Sequence, residues 1–289
     1  MTKTDMLTVL EIIKRTTEFL GGRGVENPRL NAELLVGHGL GLRRMQLYLQ
    51  FERPLSEPEL ERIRPLVRRR GQREPLQYIV GETDFCGLTL KVDRRALIPR
   101  PETELLVEHV TTRAVAAPSR ILDLGTGTGA LALALAKAFP ESRVTAVDSS
   151  AEALALAQDN ARRSGLEGRV EWLESDWWAN VPRGSAFELI VSNPPYLTAA
   201  ETAEALPEVK EFEPIAALTG SGPEGAGDLL KIIEAAPAYL VPGGMLALET
   251  GIAQHAILVE ACRRAGFQNP ESLQDLSKRD RYVIARKEG

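Results

Sequence analysis

Cysteine is nearly absent from this chain: Cys86 and Cys262 are the only two in 289 residues. Two distant cysteines build no disulfide framework. Neither has a CxxC neighbour or a histidine at ligand spacing, so no structural zinc or other metal site is expected. Histidine is as scarce, with His38, His109 and His255 scattered through helix-like stretches and beside no Ser or Cys motif. Each reads as a helix-surface residue. Long apolar runs are missing too: the longest, Ala130 to Ala136, falls far short of the roughly 20 residues that span a bilayer. The opening Met1–Asp5 has no apolar leader region. With 44% apolar and 26% charged residues, the expectation is a soluble, cytoplasmic globular protein with no membrane partner, large enough for one large domain and one small one.

Charge is unevenly spread. Residues 1–80 carry 14 Lys and Arg against 10 Asp and Glu, leaving 21 against 30 for the remainder. The basic excess suits contact with nucleic acid or an acidic partner, although a run such as Arg68-Arg69-Arg70 also serves simply as a solvated helix end. Residues 5–72 read as helices, with Leu7, Leu10, Ile12 and Ile13 on one stripe and Leu30, Leu34, Leu35 and His38 on another, and breaks at Gly21-Gly22, Gly39 to Gly41 and Pro54 to Pro58. Phe85 to Val92 reads as a hairpin turning near Gly87. Pro101, followed by Glu102 and Glu104, opens a helix. The domains expected are therefore a helical module over 1–74, a β-hairpin linker over 75–98 and a larger domain over 99–289. In the last, strands at Ile121–Gly125, Val144–Asp148, Val170–Ser175 and Phe187–Asn193 alternate with helices, which argues an α/β fold with a parallel, doubly wound sheet. A helix around Leu229–Tyr239, a strand Met245–Thr250, a helix Gln254–Gly266 and a final strand Tyr282–Arg286 complete it.

Gly125-Thr126-Gly127-Thr128-Gly129 follows the first of these strands and opens the Ala-Leu helix. Glycines let the chain turn tightly and bring backbone N–H groups against a ligand, and the helix N-terminus favours negative charge. Asp148 ends the next strand, where a carboxylate can accept from ribose hydroxyls. A dinucleotide uses the same devices, so this loop alone leaves NAD open. Asp176 and Trp177 follow the third strand and suit an adenine: the acid accepting from its amine, the indole packing on its face. Trp178 reads equally well as a core residue.

Asn193-Pro194-Pro195-Tyr196 ends the fourth strand. Two prolines fix φ and remove two donors, so the Asn193 oxygen and the backbone carbonyls form a rigid row of acceptors suited to an NH2 group. Asn193 and the Pro194 carbonyl would hold its hydrogens and aim the nitrogen lone pair at an electrophilic methyl. Tyr196 would cover the planar group by a face contact.

With Pro75 to Ile79, Leu97-Ile98-Pro99-Arg100-Pro101-Glu102-Thr103-Glu104, Asp123 to Ala130, Ser175-Asp176-Trp177, Asn193 to Tyr196 and Phe212-Glu213-Pro214, nearly the whole chain resembles the HemK-type release factor glutamine methyltransferases. Asn-Pro-Pro-Tyr alone is shared with DNA adenine and some RNA methyltransferases; the Ile-Pro-Arg-Pro-Glu-Thr-Glu stretch is more specific. The resemblance implies a class I, Rossmann-like methyltransferase domain with S-adenosyl-L-methionine as cofactor. Gly125 to Gly129, Asp148 and Trp177 would line the donor site, with Asp176 and Asn193 also expected to touch the cofactor, and Asn193 to Tyr196 would hold a glutamine. It also implies a substrate, the Gly-Gly-Gln loop of class 1 peptide-chain release factors, which the N-terminal helices would grip. The alternative of an adenine-N6 methyltransferase would need a basic cleft, whereas the catalytic part is acidic, so no stable nucleic-acid partner is expected. A nicotinamide oxidoreductase gives Asn193 to Tyr196 no role.

Overall fold

The computed structural model describes residues 7–289, so the Met1–Asp5 opening lies outside the described residues. The chain forms two compact units: Met1–Gly81 together with Leu206–Phe212, and Glu82–Ala205 together with Glu213–Gly289.

The first unit is helical: α1 (Val9–Gly21), α2 (Pro28–Leu40), α3 (Arg44–Tyr48), α4 (Glu57–Gly71), α5 (Leu76–Val80) and the short α10 (Pro207–Lys210). Thr8 caps α1 in a capping box with Glu11, satisfying donors that the first turn leaves open. Val9, Ile13 and Leu20 are buried as α1's inner stripe. The stripe expected for α2 is corrected: Leu30 and His38 are exposed, and Ala32, Leu35 and Val36 face inward. The reason is polar. Asn31 and Glu33 are buried on this helix, where Asn31 accepts from Arg70 Nε at 2.8 Å and Glu33 accepts from Arg29, Arg44 and Tyr48. Burial opposes ionisation of Glu33, yet these three donors outweigh it and hold its carboxyl below the usual range. A periodicity of apolar residues cannot register such buried, satisfied polar groups. Glu208 on α10 is clamped by Arg70 at 2.8 Å and Arg73 at 2.7 Å, which ties this returning segment to α4 and its end.

In the second unit β1 (Glu82–Phe85) and β2 (Leu88–Lys91) form an antiparallel hairpin. Cys86 and Gly87 turn it with φ of 47° and 69°, the left-handed pair that matches hairpin twist. Seven strands follow: β3 (Arg120–Leu124), β4 (Arg143–Asp148), β5 (Val170–Glu174), β6 (Phe187–Ser192), β7 (Leu240–Glu249), β8 (Phe267–Gln274) and β9 (Asp280–Lys287), in the spatial order β5-β4-β3-β6-β7-β9-β8. Around them lie α6 (Pro101–Arg113), α7 (Ala130–Ala138), α8 (Ala151–Arg163), α9 (Ala199–Glu204), α11 (Gly227–Ala235) and α12 (His255–Arg264). Successive strand residues enter opposite cores: Leu189, Val191 and Met245 pack on one face, and Ile190, Leu246 and Leu248 on the other. Each such side chain stabilises by about 1.5–3 kcal/mol when fully buried, so both faces must be covered and the sheet is the middle layer.

The sheet is mixed rather than wholly parallel, because β9 runs antiparallel to both β7 and β8. Only Asp275–Arg279 separates β8 from β9, too short a connection for a parallel crossover. Strand β8 itself was not anticipated. It carries Pro270, buries little beyond Phe267 and breaks register twice, so it lacks the alternation that marks a strand.

His38 is exposed as expected, but His255 is buried, its two ring nitrogens 2.8 Å from Thr250 Oγ1 and 2.7 Å from Ser272 Oγ. Thr250 follows β7 and Ser272 lies on β8, so both partners stand outside the helix and single-helix periodicity cannot foresee them. His109 is half-buried, edge-on to Tyr282. Among the described residues no helix is long and apolar enough to cross a membrane.

Candidate active site

Parallel pairing aligns the carboxyl ends of five strands. Asp148 lies opposite Glu174, Leu124 opposite Val147 and Ser192, and Ser192 opposite Leu248. Whatever follows each strand is therefore set side by side: Asp176 and Trp177 after β5, Asp148 on β4, the glycine loop after β3, Asn193 after β6, and Glu249 on β7. Chain order reverses direction at β3, the crevice where open α/β sheets bind ligands. A cavity of about 450 Å³ opens there.

Gly125, Gly127 and Gly129 have φ of 73°, 55° and 82°, which L side chains rarely adopt. The Trp177 ring lies against Gly125, where an added Cβ would stand 3.4 Å from Cζ3. Asp148 accepts from Gly127 N at 2.8 Å and from Ser150 N at 2.9 Å, so it braces the loop as well as facing the cavity. Burial pushes its carboxyl above the usual range, partly offset by these N–H groups. Thr126, Thr128, Asp176 and Trp177 also line the cavity; Gly129 instead caps α7 beneath it. Trp178 stacks on Tyr239 at 4.6 Å, a packing role.

Asn193 and Pro195 line the cavity, whereas Pro194 and Tyr196 do not. Asn193 Nδ2 donates to Thr103 Oγ1 at 3.0 Å, which leaves Oδ1 as the atom of the amide free to accept. Tyr196 is turned inward: its hydroxyl donates to Glu249 Oε1 at 3.2 Å and accepts from Arg281 Nη1 at 3.3 Å, and the Arg281 guanidinium stands over its ring at 5.7 Å. Burial first, then the Glu249 charge, push the phenol well above the usual tyrosine range, so it stays protonated.

Residues 11–81 match the family described as PrmC N-terminal domain, and residues 101–210 that described as Methyltransferase small domain. A release factor glutamine methyltransferase from Geobacter sulfurreducens is 44% identical over 98% of this chain and 98% of its own length. One from Chlorobaculum tepidum is 43% identical over 97% and 98%, and one from Deinococcus radiodurans 42% over 96% and 98%. The chain belongs to the release factor glutamine methyltransferases. Their methyltransferase domain has a class I S-adenosylmethionine-dependent fold, and solved structures agree at the level of the fold. A methyltransferase from Pyrococcus furiosus aligns with a TM-score of 0.53 at 20% identity, over 70% of this chain and 90% of its own. A 16S rRNA N2 G1207 methyltransferase from T. thermophilus aligns with 0.52 at 21%, over 71% and 49%.

The roles of several residues in this release factor glutamine methyltransferase's site are set by contacts that their motifs do not state. Glu213 is buried, accepting from Ile98 N at 3.1 Å and pairing with Arg100, so it holds the Ile-Pro-Arg-Pro stretch at the cavity wall. Thr103 follows that stretch in the first turn of α6, and Glu249, an acid closing an apolar strand, carries the same signal as Asp148. Asp123 is wholly buried beneath the loop. Its Oδ2 accepts from Thr126 Oγ1 at 2.6 Å and Ala132 N at 3.1 Å, while Oδ1 has no partner among the described residues.

Burial pushes the Asp123 carboxyl up to about 7 from an ordinary 3.8. The folded chain then keeps a proton that the unfolded chain has lost, so this group's contribution falls as pH rises from about 4 to 7. Asp123→Asn removes that loss. Melting temperatures should show the variant gaining on the wild type by at least about 1 kcal/mol between pH 5 and 8; a pH-independent difference would contradict the raised carboxyl.

Proposed function

We propose that this enzyme transfers a methyl group from S-adenosyl-L-methionine to the side-chain amide nitrogen of the glutamine in the Gly-Gly-Gln loop of a class 1 release factor. The observation that carries the reading is the commitment of Asn193 Nδ2 to Thr103. An amide so fixed offers its oxygen as a hydrogen-bond acceptor at the cavity wall, which is what a substrate NH2 requires.

The residues around the cavity fit the donor. Backbone at the three left-handed glycines carries no side chain to block a ligand, and Asp148 keeps acceptor capacity beyond the two N–H groups it holds. Gly125 to Thr128 and Asp148 would take its methionine and ribose parts, with Asp176 and Trp177 at its adenine. Bound there, the donor supplies an electrophilic methyl on a sulfonium.

An amide nitrogen is a weak nucleophile because its lone pair is delocalised. Rate then comes from orientation and from stabilising the positive charge that builds on nitrogen, to which the Asn193 oxygen and the Pro194 carbonyl contribute. The helical unit, matched to the PrmC N-terminal domain and richer in Arg and Lys, is assigned to gripping the factor, in a cytoplasmic reaction.

Two measurements test the donor assignment. S-adenosylmethionine, and not NAD, should raise the melting temperature of the purified chain; stabilisation by NAD alone would sink the reading. Asp148→Ala should raise the dissociation constant for S-adenosylmethionine by about tenfold or more in calorimetry, the equivalent of one strong hydrogen-bonded group. An unchanged constant contradicts the role given to Asp148.

A further inference from the structure

Glu249 is 1% exposed, and its oxygens are held by hydroxyls: Thr103 Oγ1 donates to Oε2 at 2.7 Å and Tyr196 OH to Oε1 at 3.2 Å. Burial pushes this carboxyl above its usual range, and the Thr103 hydroxyl, the Arg281 charge and the Tyr196 hydroxyl work against that burial to keep it an acceptor. Its value here follows from counting protons. A hydroxyl has one hydrogen, and Thr103 gives its own to Glu249. Toward Asn193, therefore, Thr103 can only accept, and the Asn193 amide must turn its NH2 to Thr103 and its oxygen away. If Glu249 offered no acceptor, the Thr103 hydroxyl could point at Asn193, and the amide could flip and present donors to the cavity. The Tyr196 hydroxyl runs the same way, giving its proton to Glu249 and accepting from Arg281.

We propose that Glu249 is a positioning residue that sets the orientation of the Asn193 amide through Thr103, and so makes the site accept an NH2 group and refuse a carboxylate. The inference rests on the glutamine reading above, and it explains how an asparagine, symmetric in shape, is made an acceptor. Glu249 and Thr103 bracket the same wall from β7 and α6, elements far apart in sequence.

The test uses the full-length enzyme, S-adenosylmethionine and a release factor. Glu249→Leu and Thr103→Val, each close in volume to the residue replaced, should lower kcat by at least about tenfold, with KM for S-adenosylmethionine within about twofold of wild type. Thr103→Ser, which keeps the hydroxyl, should recover most of that loss, whereas Glu249→Gln keeps one acceptor for two hydroxyl donors and should recover only part of it. In an Asn193→Ala background the two disruptive changes should cost nothing further, because the amide they orient is gone. Wild-type kcat in Thr103→Val and Glu249→Leu, or an equal loss with and without Asn193, overturns the proposal. Should Glu249→Leu fail to fold, the Thr103→Val and Thr103→Ser pair decides the matter alone. Absence of glutamine labelling by the wild type would instead remove the functional reading beneath it.

Discussion

Asn193→Ala is expected to lower kcat for release-factor methylation by about a hundredfold or more, with little change in affinity for S-adenosylmethionine. The asparagine oxygen has its effect when positive charge gathers on the substrate nitrogen, so its loss is felt in the transition state more than in the ground state. Thr103, which accepts from Asn193 at 3.0 Å, stays bonded to Glu249 at 2.7 Å, and Tyr196 to Glu249 at 3.2 Å, so the wall keeps its shape. The donor contacts proposed lie over β3 to β5, whereas Asn193 follows β6, so the two constants are expected to separate. Near-normal turnover in the variant, measured at saturating donor, would refute the role.

Gly220→Ala should damage the same wall from behind. The segment after Pro195 pairs with the chain at Leu218 to Gly220, with Leu197 N donating to Leu218 O and Gly220 N to Leu197 O, both at 3.0 Å. A Cβ at Gly220 would stand 2.1 Å from Gly225 O and 2.6 Å from Pro195 O. Both are backbone atoms, so no rotamer change relieves the clash and the prolines must shift. Overpacking of this kind costs roughly 3 kcal/mol, a fall of about 6–10 °C in melting temperature for a domain of this size. Methylation should fall with it even below the melting transition, because Pro195 lines the cavity. Gly168→Ala, whose new methyl meets open space, is the control and should stay close to wild type. Equal melting curves and rates for the two variants would contradict the packing described.

Local signals carried much of this architecture. The glycine loop and Asn193 each follow a short apolar strand and Asp148 ends one, and a strand that ends in an unusual residue is legible without knowing its neighbours. The turn at Gly87 and the proline opening α6 are likewise local chemistry. What stayed hidden depends on pairing between distant segments. Strand β8 has too few apolar residues to announce itself and forms because β9 lies beside it. Glu33, Asn31 and His255 are polar groups buried only because Arg44, Arg70 and Ser272 arrive from elsewhere in the chain. Tyr196 was expected to cover the substrate's planar group, and the structure shows its hydroxyl committed to Glu249 and Arg281 and its ring beneath a guanidinium. Only the juxtaposition of β7 and β9 with the Asn-Pro-Pro-Tyr turn reveals that arrangement.

The most direct test of the account is methyl transfer from labelled S-adenosylmethionine to a purified class 1 release factor, to the same factor with its Gly-Gly-Gln glutamine substituted, and to duplex DNA, with mass mapping of the product. Label is expected on that glutamine, with none on the substituted factor and none on DNA. Label on DNA alone would contradict it and assign the Asn193 wall to an adenine amine instead.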